Sequence, residues 1–181
     1  MPQNLELKAR ISSVSAFVRT ARRLKAQTTG MLRQHDIYYK VSHGRLKLRI
    51  VNNRSAELIY YNRPNKKGSR YSEYFLFPVS NARQTEALCK AAFGQNVVVE
   101  KKRRLFLYKN SRIHLDKVYG LGTFIEFEVL VSYGKRQAQK LLEKLSKEFA
   151  IEHAAIIGIS YSDMLLQKKQ ALKSKKYKKA N

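Results

Sequence analysis

Residues Ser111 to Val131 read SRIHLDKVYGLGTFIEFEVLV, and this stretch decides the fold. Gly120 and Gly122 divide it into two runs of period-2 alternation, the pattern of two strands joined by a tight turn. In the second run Ile125, Phe127, Val129 and Val131 make one continuous apolar face. The other face carries Glu126 and Glu128 beside Phe124 and Leu130. The first run alternates in the same way, His114 and Asp116 against Ile113 and Leu115. Two acids at i and i+2 on one face repel each other unless a cation or a basic neighbour lies between them. A solvated strand face is the plain alternative, so the rest of the chain has to decide.

Working outward, the amino-terminal stretch Asn4 to Ile11 alternates as strictly: Asn4, Glu6, Lys8 and Arg10 on one face, Leu5, Leu7, Ala9 and Ile11 on the other. Ser12 or Ser13 then caps a helix running to about Lys25, with Val14, Phe17, Val18, Ala21 and Leu24 as its apolar stripe. Short strands are expected at Gln34–Val41, Arg45–Ile50, Ala56–Arg63 and Arg70–Val79, with turns at His43-Gly44, Asn52–Ser55 and Pro64–Gly68. Pro78 fits an edge or terminal position of its strand. A helix from Ser80 to Phe93 stops at Gly94, and a long strand from Val97 to Tyr108 follows. On that strand Lys101 and Arg103 share one face and Lys102 and Arg104 the other, and alternation alone does not say which pair points inward. Lys135 to Phe149 reads as a helix burying Leu141, Leu142, Leu145 and Phe149. Ser160-Tyr161-Ser162-Asp163 is a capping box opening a last short helix through Leu166. From Lys168 to Asn181, seven lysines with few apolar residues make a flexible or weakly helical tail, leaving residues 1–167 as one domain.

The chain has 181 residues, with 37 Lys and Arg against 13 Asp and Glu, a net charge of +24. Such a field attracts nucleic acid, nucleotides or anionic surfaces without specifying a fold. There is no apolar run near the ~18 residues of a membrane span and no signal-peptide pattern, so a cytoplasmic protein is expected. The single Cys89 allows no internal disulfide, and four scattered histidines give no recognisable zinc spacing. Cys89 is expected in the core of its helix. Antiparallel strands whose polar faces are charged one after another, with helices available to cover the apolar faces, fit a closed barrel with a charged interior. The fold class expected is therefore mainly β (α+β): an eight-stranded antiparallel tunnel with surrounding helices.

The pieces in order, NLELKAR at Asn4, HGRLKLR at His43, LIYYNRP at Leu58, K-x-R at Lys101, IHLDKVYGLGTFIEFE at Ile113 and SYSD at Ser160, resemble the CYTH superfamily of class IV adenylyl cyclases and thiamine triphosphatases. The resemblance spans about residues 4 to 166. It implies a tunnel that holds a triphosphate chain with basic residues and one or two divalent cations, Mg²⁺ or Mn²⁺, with acids. Carried over by position, Glu6, Asp116, Glu126 and Glu128 stand as metal ligands. Lys8, Arg10, Lys47, Arg49, Arg63, Arg70, Lys101 and Arg103 stand as phosphate contacts, with Lys8 and Asp116 as the catalytic pair. One departure is Asn4, where the family's E-x-E-x-K signature has its first glutamate. An amide oxygen can ligate Mg²⁺ but brings no charge.

Of these, Lys8, Lys47, Arg49, Arg63, Lys101 and Arg103, six cations aimed into one tunnel, need a polyanion to compensate them. The implied chemistry is therefore triphosphate processing, with closer wording to the cyclase group (ATP to cyclic AMP and pyrophosphate). Hydrolysis of inorganic, thiamine or nucleoside triphosphate is the alternative. A non-catalytic binder of RNA or polyphosphate, using the basic surface and the lysine tail, is a third reading. His114 is either a proton donor or substrate contact, or a hydrogen-bonded histidine of the barrel wall.

Overall fold

Alternation on this scale closes on itself. A computed structural model of the protein describes residues 3–180, and in it eight strands form one closed antiparallel barrel. They are β1 (Gln3–Arg10), β2 (Gln27–Tyr39), β3 (Arg45–Val51), β4 (Ser55–Asn62), β5 (Arg70–Val79), β6 (Gln95–Tyr108), β7 (Ser111–Val118) and β8 (Gly122–Leu130). Around the wall the order is β1-β5-β4-β3-β2-β6-β7-β8. Closure depends on β1, which pairs β8 from Asn4↔Leu130 to Arg10↔Phe124 and β5 from Gln3↔Glu73 to Glu6↔Arg70. Because side chains alternate, that register sends Asn4, Glu6, Lys8, Glu126 and Glu128 inward and Leu5, Leu7, Ala9, Ile125, Phe127 and Val129 outward.

The outward apolar faces are covered by helices. The helices α1 (Val14–Arg23) and α3 (Lys135–Glu148) lie on β1, β7 and β8, where Phe17, Ala21, Leu142 and Leu145 bury against Leu7, Ile113, Ile125 and Phe127. Ser13 caps α1 as its sequence indicates, its side chain accepting from Ala16 N. The next helix, α2 (Ala82–Phe93), covers β2 to β4 with Cys89 among Ile37, Leu48 and Ala56. It begins two residues later than the sequence suggests because Asn81, rather than Ser80, takes the cap and accepts from Gln84 N. Gly94 ends α2 at φ 71°, a conformation glycine adopts without penalty. Pro78 sits opposite Glu57 on β4, in the half of β5 that extends past its pairing with β1. One edge of β5 is without a β1 partner there, the kind of position in which a sheet tolerates proline.

Two expectations change. The second strand begins at Gln27, seven residues before the expected Gln34, and pairs with β6 along its whole length. Its first half is mostly exposed on both faces, and a register shift at Thr28/Gly30 interrupts the period, so alternation could not report it. The last helix, α4, runs from Tyr161 to Ala180 and not only through Leu166. Once its packed start nucleates the helix, the Gln, Lys, Ala and Leu that follow are good helix formers and propagate it. Lys168 Nζ, at the start of the lysine-rich stretch, donates to Gly120 O at 2.7 Å. Asn181 lies outside the described residues. No helix among them is long and apolar enough to cross a membrane.

The helix cover predicts a sharp contrast in stability. Leu145→Ala, at a fully buried position on α3, should cost about 2–5 kcal/mol in urea unfolding. Leu88→Ala on α2, where the side chain is 66% exposed, should change stability by less than about 0.5 kcal/mol.

Candidate active site

Inside the barrel the strand register brings charged residues together from distant parts of the chain. On β2, Asp36 lies opposite Arg49 of β3, and Lys47 is next to it on the same inward face. Asp36 is fully buried and is the hub of the cation cluster. Arg49 donates to it twice, Nε to Oδ1 and Nη2 to Oδ2, both at 2.8 Å. Lys101 Nζ donates to Oδ2 at 2.7 Å and Lys47 Nζ to the same oxygen at 3.2 Å. One carboxylate thus holds three cations. Burial would push the Asp36 carboxyl up, but Arg49, Lys101 and Lys47 together hold it well below the usual carboxylate range. Lys101 bears the opposite strain: burial, with Arg49, Arg103 and Lys47 beside it, brings its pKa down to about 7 despite Asp36.

The opposite wall carries the acids. Arg103 on β6 donates bidentately to Asp116 on β7, at 2.7 and 2.6 Å, and to Glu126 Oε2 on β8 at 2.9 Å. Arg63 Nη1 donates to Glu6 Oε2 at 3.0 Å, yet burial still leaves the Glu6 pKa raised. Lys8 is almost wholly buried, with Nζ 3.5 Å from Glu126 Oε1 and 3.9 Å from the centre of the Tyr161 ring. Burial draws its pKa down to about 8. Tyr161 enters at the start of α4 and donates its hydroxyl to Asp116 Oδ2 at 3.1 Å. The Ser160–Asp163 segment that positions it is held by reciprocal caps, Asp163 N to Ser160 Oγ and Ser160 N to Asp163 Oδ2, both at 3.1 Å. Arg45 Nη2 clamps the same Asp163 oxygen at 2.9 Å.

These groups enclose a cavity of about 130 Å³ whose lining includes seven basic and four acidic side chains. Of the residues singled out from sequence, Glu6, Lys8, Lys47, Arg49, Arg63, Lys101, Arg103, Glu126 and Glu128 line it. Lys101 and Arg103 are the buried pair, while Lys102 is exposed and Arg104 only half-buried. Three residues stand apart. Asp116 lies behind Arg103, both oxygens taken by that guanidinium and by Tyr161. Arg10 is exposed at the barrel end, where it donates to Leu121 O at 2.7 Å. Arg70 is buried and donates through Nη1 to Ile157 O, leaving Nε and Nη2 without partners. Sequence reading missed Asp36, Tyr38, Tyr61, Arg112 and Tyr161 as lining residues. The signal for Asp36 was an acid at the head of the apolar and aromatic run Ile37-Tyr38-Tyr39, on the face opposite Ile37 and Tyr39.

A divalent cation fits the acid wall. Asn4 Oδ1 and His114 Nδ1 are buried there without hydrogen-bond partners, beside the carboxylates of Glu6, Glu126 and Glu128. Burial raises the Glu126 and Glu128 carboxyls, but basic neighbours prevail and hold both below the normal range, so they stay ionised as ligands must be.

The family pattern of the CYTH domain matches residues 2–155. The chain belongs to the CYTH domain family. No curated protein matches it in sequence. Among solved structures, PH1012 of Pyrococcus horikoshii OT3 superposes with a TM-score of 0.80 at 21% identity, covering 88% of this chain and 98% of that one. A presumed adenylate cyclase of Vibrio parahaemolyticus gives 0.73 at 17%, covering 90% and 97%. HpAC1 of Hippeastrum, a presumed adenylyl cyclase with a dominant triphosphatase activity, gives 0.63 at 16%, covering 94% and 96%. At these identities the likenesses show the CYTH fold.

Two outcomes follow from the Asp36 cluster. Asp36→Asn leaves three buried cations without their carboxylate and should lower stability by about 3–5 kcal/mol in urea unfolding, a loss partly restored by inorganic triphosphate. The depressed Lys101 pKa gives a pH dependence. In the empty protein, charging Lys101 opposes folding; this penalty is complete below about pH 7 and fades as pH rises towards 10.5, the ordinary lysine value. An anion bound beside Lys101 raises that pKa, so binding takes up protons and triphosphate affinity should fall between about pH 7 and 9. Calorimetry in buffers of different ionisation enthalpy measures the uptake directly; an affinity that rose over this window would reverse the assignment.

Proposed function

We propose that the tunnel binds the triphosphate chain of a small molecule and cleaves it by hydrolysis with the help of a divalent cation, Mg²⁺ or Mn²⁺. The observation that carries this reading is the cage itself, in which buried cations outnumber acids around a cavity of about 130 Å³. Pockets that engulf an organic ligand of drug size run to roughly 300–1,000 Å³, so this interior suits phosphates, with any organic group left at the mouth.

Each residue has a part that its contacts support. Arg49, Lys47 and Lys101 converge on Asp36 and carry net positive charge, so they can turn donors towards phosphate oxygens without losing their anchor. Arg103 is held rigid by Asp116, and Lys8 and Arg63 reach in from either side of Glu6 and Glu126. Preorganised cations of this kind stabilise charge as it moves onto a leaving phosphate, and they need no rearrangement at that moment. Glu126 and Glu128, with Glu6 and Asn4, are the residues that would hold the cation. When bound, it neutralises phosphate charge and polarises the phosphorus centre.

The dominant triphosphatase activity of HpAC1 supports hydrolysis over ring closure. Cyclase chemistry on ATP is the second reading, favoured by the wording of the IHLDKVYGLGTFIEFE stretch. It requires the ribose to enter beside the first phosphorus.

Incubation with ATP or inorganic triphosphate and Mg²⁺ or Mn²⁺, with products resolved as phosphate, pyrophosphate and cyclic nucleotide, tests all three readings. Phosphate release is the expected result; cyclic AMP with pyrophosphate would assign the cyclase, and no product with any combination would leave a binding protein. Glu126→Gln should reduce turnover about 100-fold or more while the protein still folds. Arg49→Ala should weaken inorganic triphosphate binding by about 1.5–3 kcal/mol, whereas Arg22→Ala on the exposed face of α1 should leave it nearly unchanged. Equal losses would show that surface charge alone recruits the ligand.

A further inference from the structure

His114 is a buried group that the phosphate cage does not use. It projects inward from β7 with 3% exposure, paired across the strands with Glu126, while its neighbour Arg112 pairs with Glu128. Its Nδ1 has no hydrogen-bond partner. The carboxylate oxygens that face it are Glu128 Oε1 at 3.7 Å and Glu126 Oε2 at 3.9 Å, both beyond hydrogen-bond reach. A buried ring nitrogen left in this state costs free energy that a proton shared over such distances does not recover. A second orphan, Asn4 Oδ1, lies on β1 beyond β8, four positions along that strand from Lys8, the residue level with Glu126 and His114.

The three donor atoms of His114, Glu126 and Glu128 lie within 4.8 Å of one another. A cation at the roughly 2.0–2.2 Å typical of nitrogen and carboxylate ligands would need them to draw in by less than about 1 Å. Two carboxylates match its charge. An imidazole adds a donor without adding charge. Nitrogen donors are well suited to first-row transition ions, whereas Mg²⁺ takes oxygen almost exclusively and parts reluctantly with its water.

We propose that His114 Nδ1 joins Glu126 and Glu128 as a direct ligand of the tunnel cation and makes the site prefer Mn²⁺ over Mg²⁺. This rests on the tunnel taking a divalent cation and is independent of which phosphate bond is cleaved. His114 is then a determinant of metal choice.

The test uses the full chain without any phosphate. Mn²⁺ and Mg²⁺ are each titrated by calorimetry, and the Mn²⁺ complex is recorded by pulsed electron paramagnetic resonance. The wild type should show nitrogen modulation from a coordinated imidazole and bind Mn²⁺ at least about 10-fold more tightly than Mg²⁺. His114→Asn should lose the nitrogen signal and most of the preference. Because the nitrogen signal is read on the wild type, the result stands even if the variant folds poorly. Mn²⁺ bound without nitrogen modulation, or a preference unchanged in a folded His114→Asn protein, would overturn the proposal and leave the metal-assisted reading intact. No binding of either ion, alone or with inorganic triphosphate, would overturn both.

Discussion

A single buried carboxylate, Asp36, holding Arg49, Lys47 and Lys101, is the interaction on which the interior depends. Removing four charges from water is expensive, and one acid among three cations cannot recover the whole cost. The inner face of the barrel therefore adds little to stability, and the outer face must supply it. That division is possible because a strand sends alternate residues to opposite sides. Leu5, Leu7, Ile113, Ile125 and Phe127 pack under α1 and α3, while the residues between them remain free for chemistry. A barrel also has no open edge, so its wall holds rigid a set of charges that would otherwise drive it apart.

Much of this was legible in the chain. The alternation at Asn4–Ile11 and Ser111–Val131 named both the strands that close the barrel and the acids they carry, since period 2 assigns faces without further information. The pairing of those faces was not legible. No spacing indicates that Arg103 will sit across from Asp116 rather than across from a phosphate, because register between β6 and β7 is a property of the closed sheet. Asp36 was hidden for a similar reason: its importance comes from Lys101, sixty-five positions away, and not from its neighbours in sequence. The start of β2 was hidden by a bulge that interrupts the alternation.

The internal pairing also refines the argument from charge. Lys8, Lys47, Arg49, Arg63, Lys101 and Arg103 do not wait uncompensated for a ligand; each has an acid within 3.5 Å. What remains is a surplus of cations over acids, and a pair of lysines whose pKa values are drawn towards neutrality. A triphosphate would supply the missing negative charge, and the cation on the acid wall would keep Glu6, Glu126 and Glu128 from repelling it. Under the proposed function the two walls would be complementary halves of one electrostatic device, the basic one turned to phosphate and the acidic one to the cation.

The central claim is that this interior is built for a short polyphosphate chain held inside the tunnel. Thermal unfolding of the full chain at physiological salt, with saturating inorganic triphosphate compared with equal charge supplied as monophosphate, tests it most directly. At a ligand concentration about 100 times its Kd the gain is about 2.7 kcal/mol, which predicts a rise in Tm of about 5–11 °C for triphosphate and much less for monophosphate. Equal shifts with both anions, or none with either, would contradict the account.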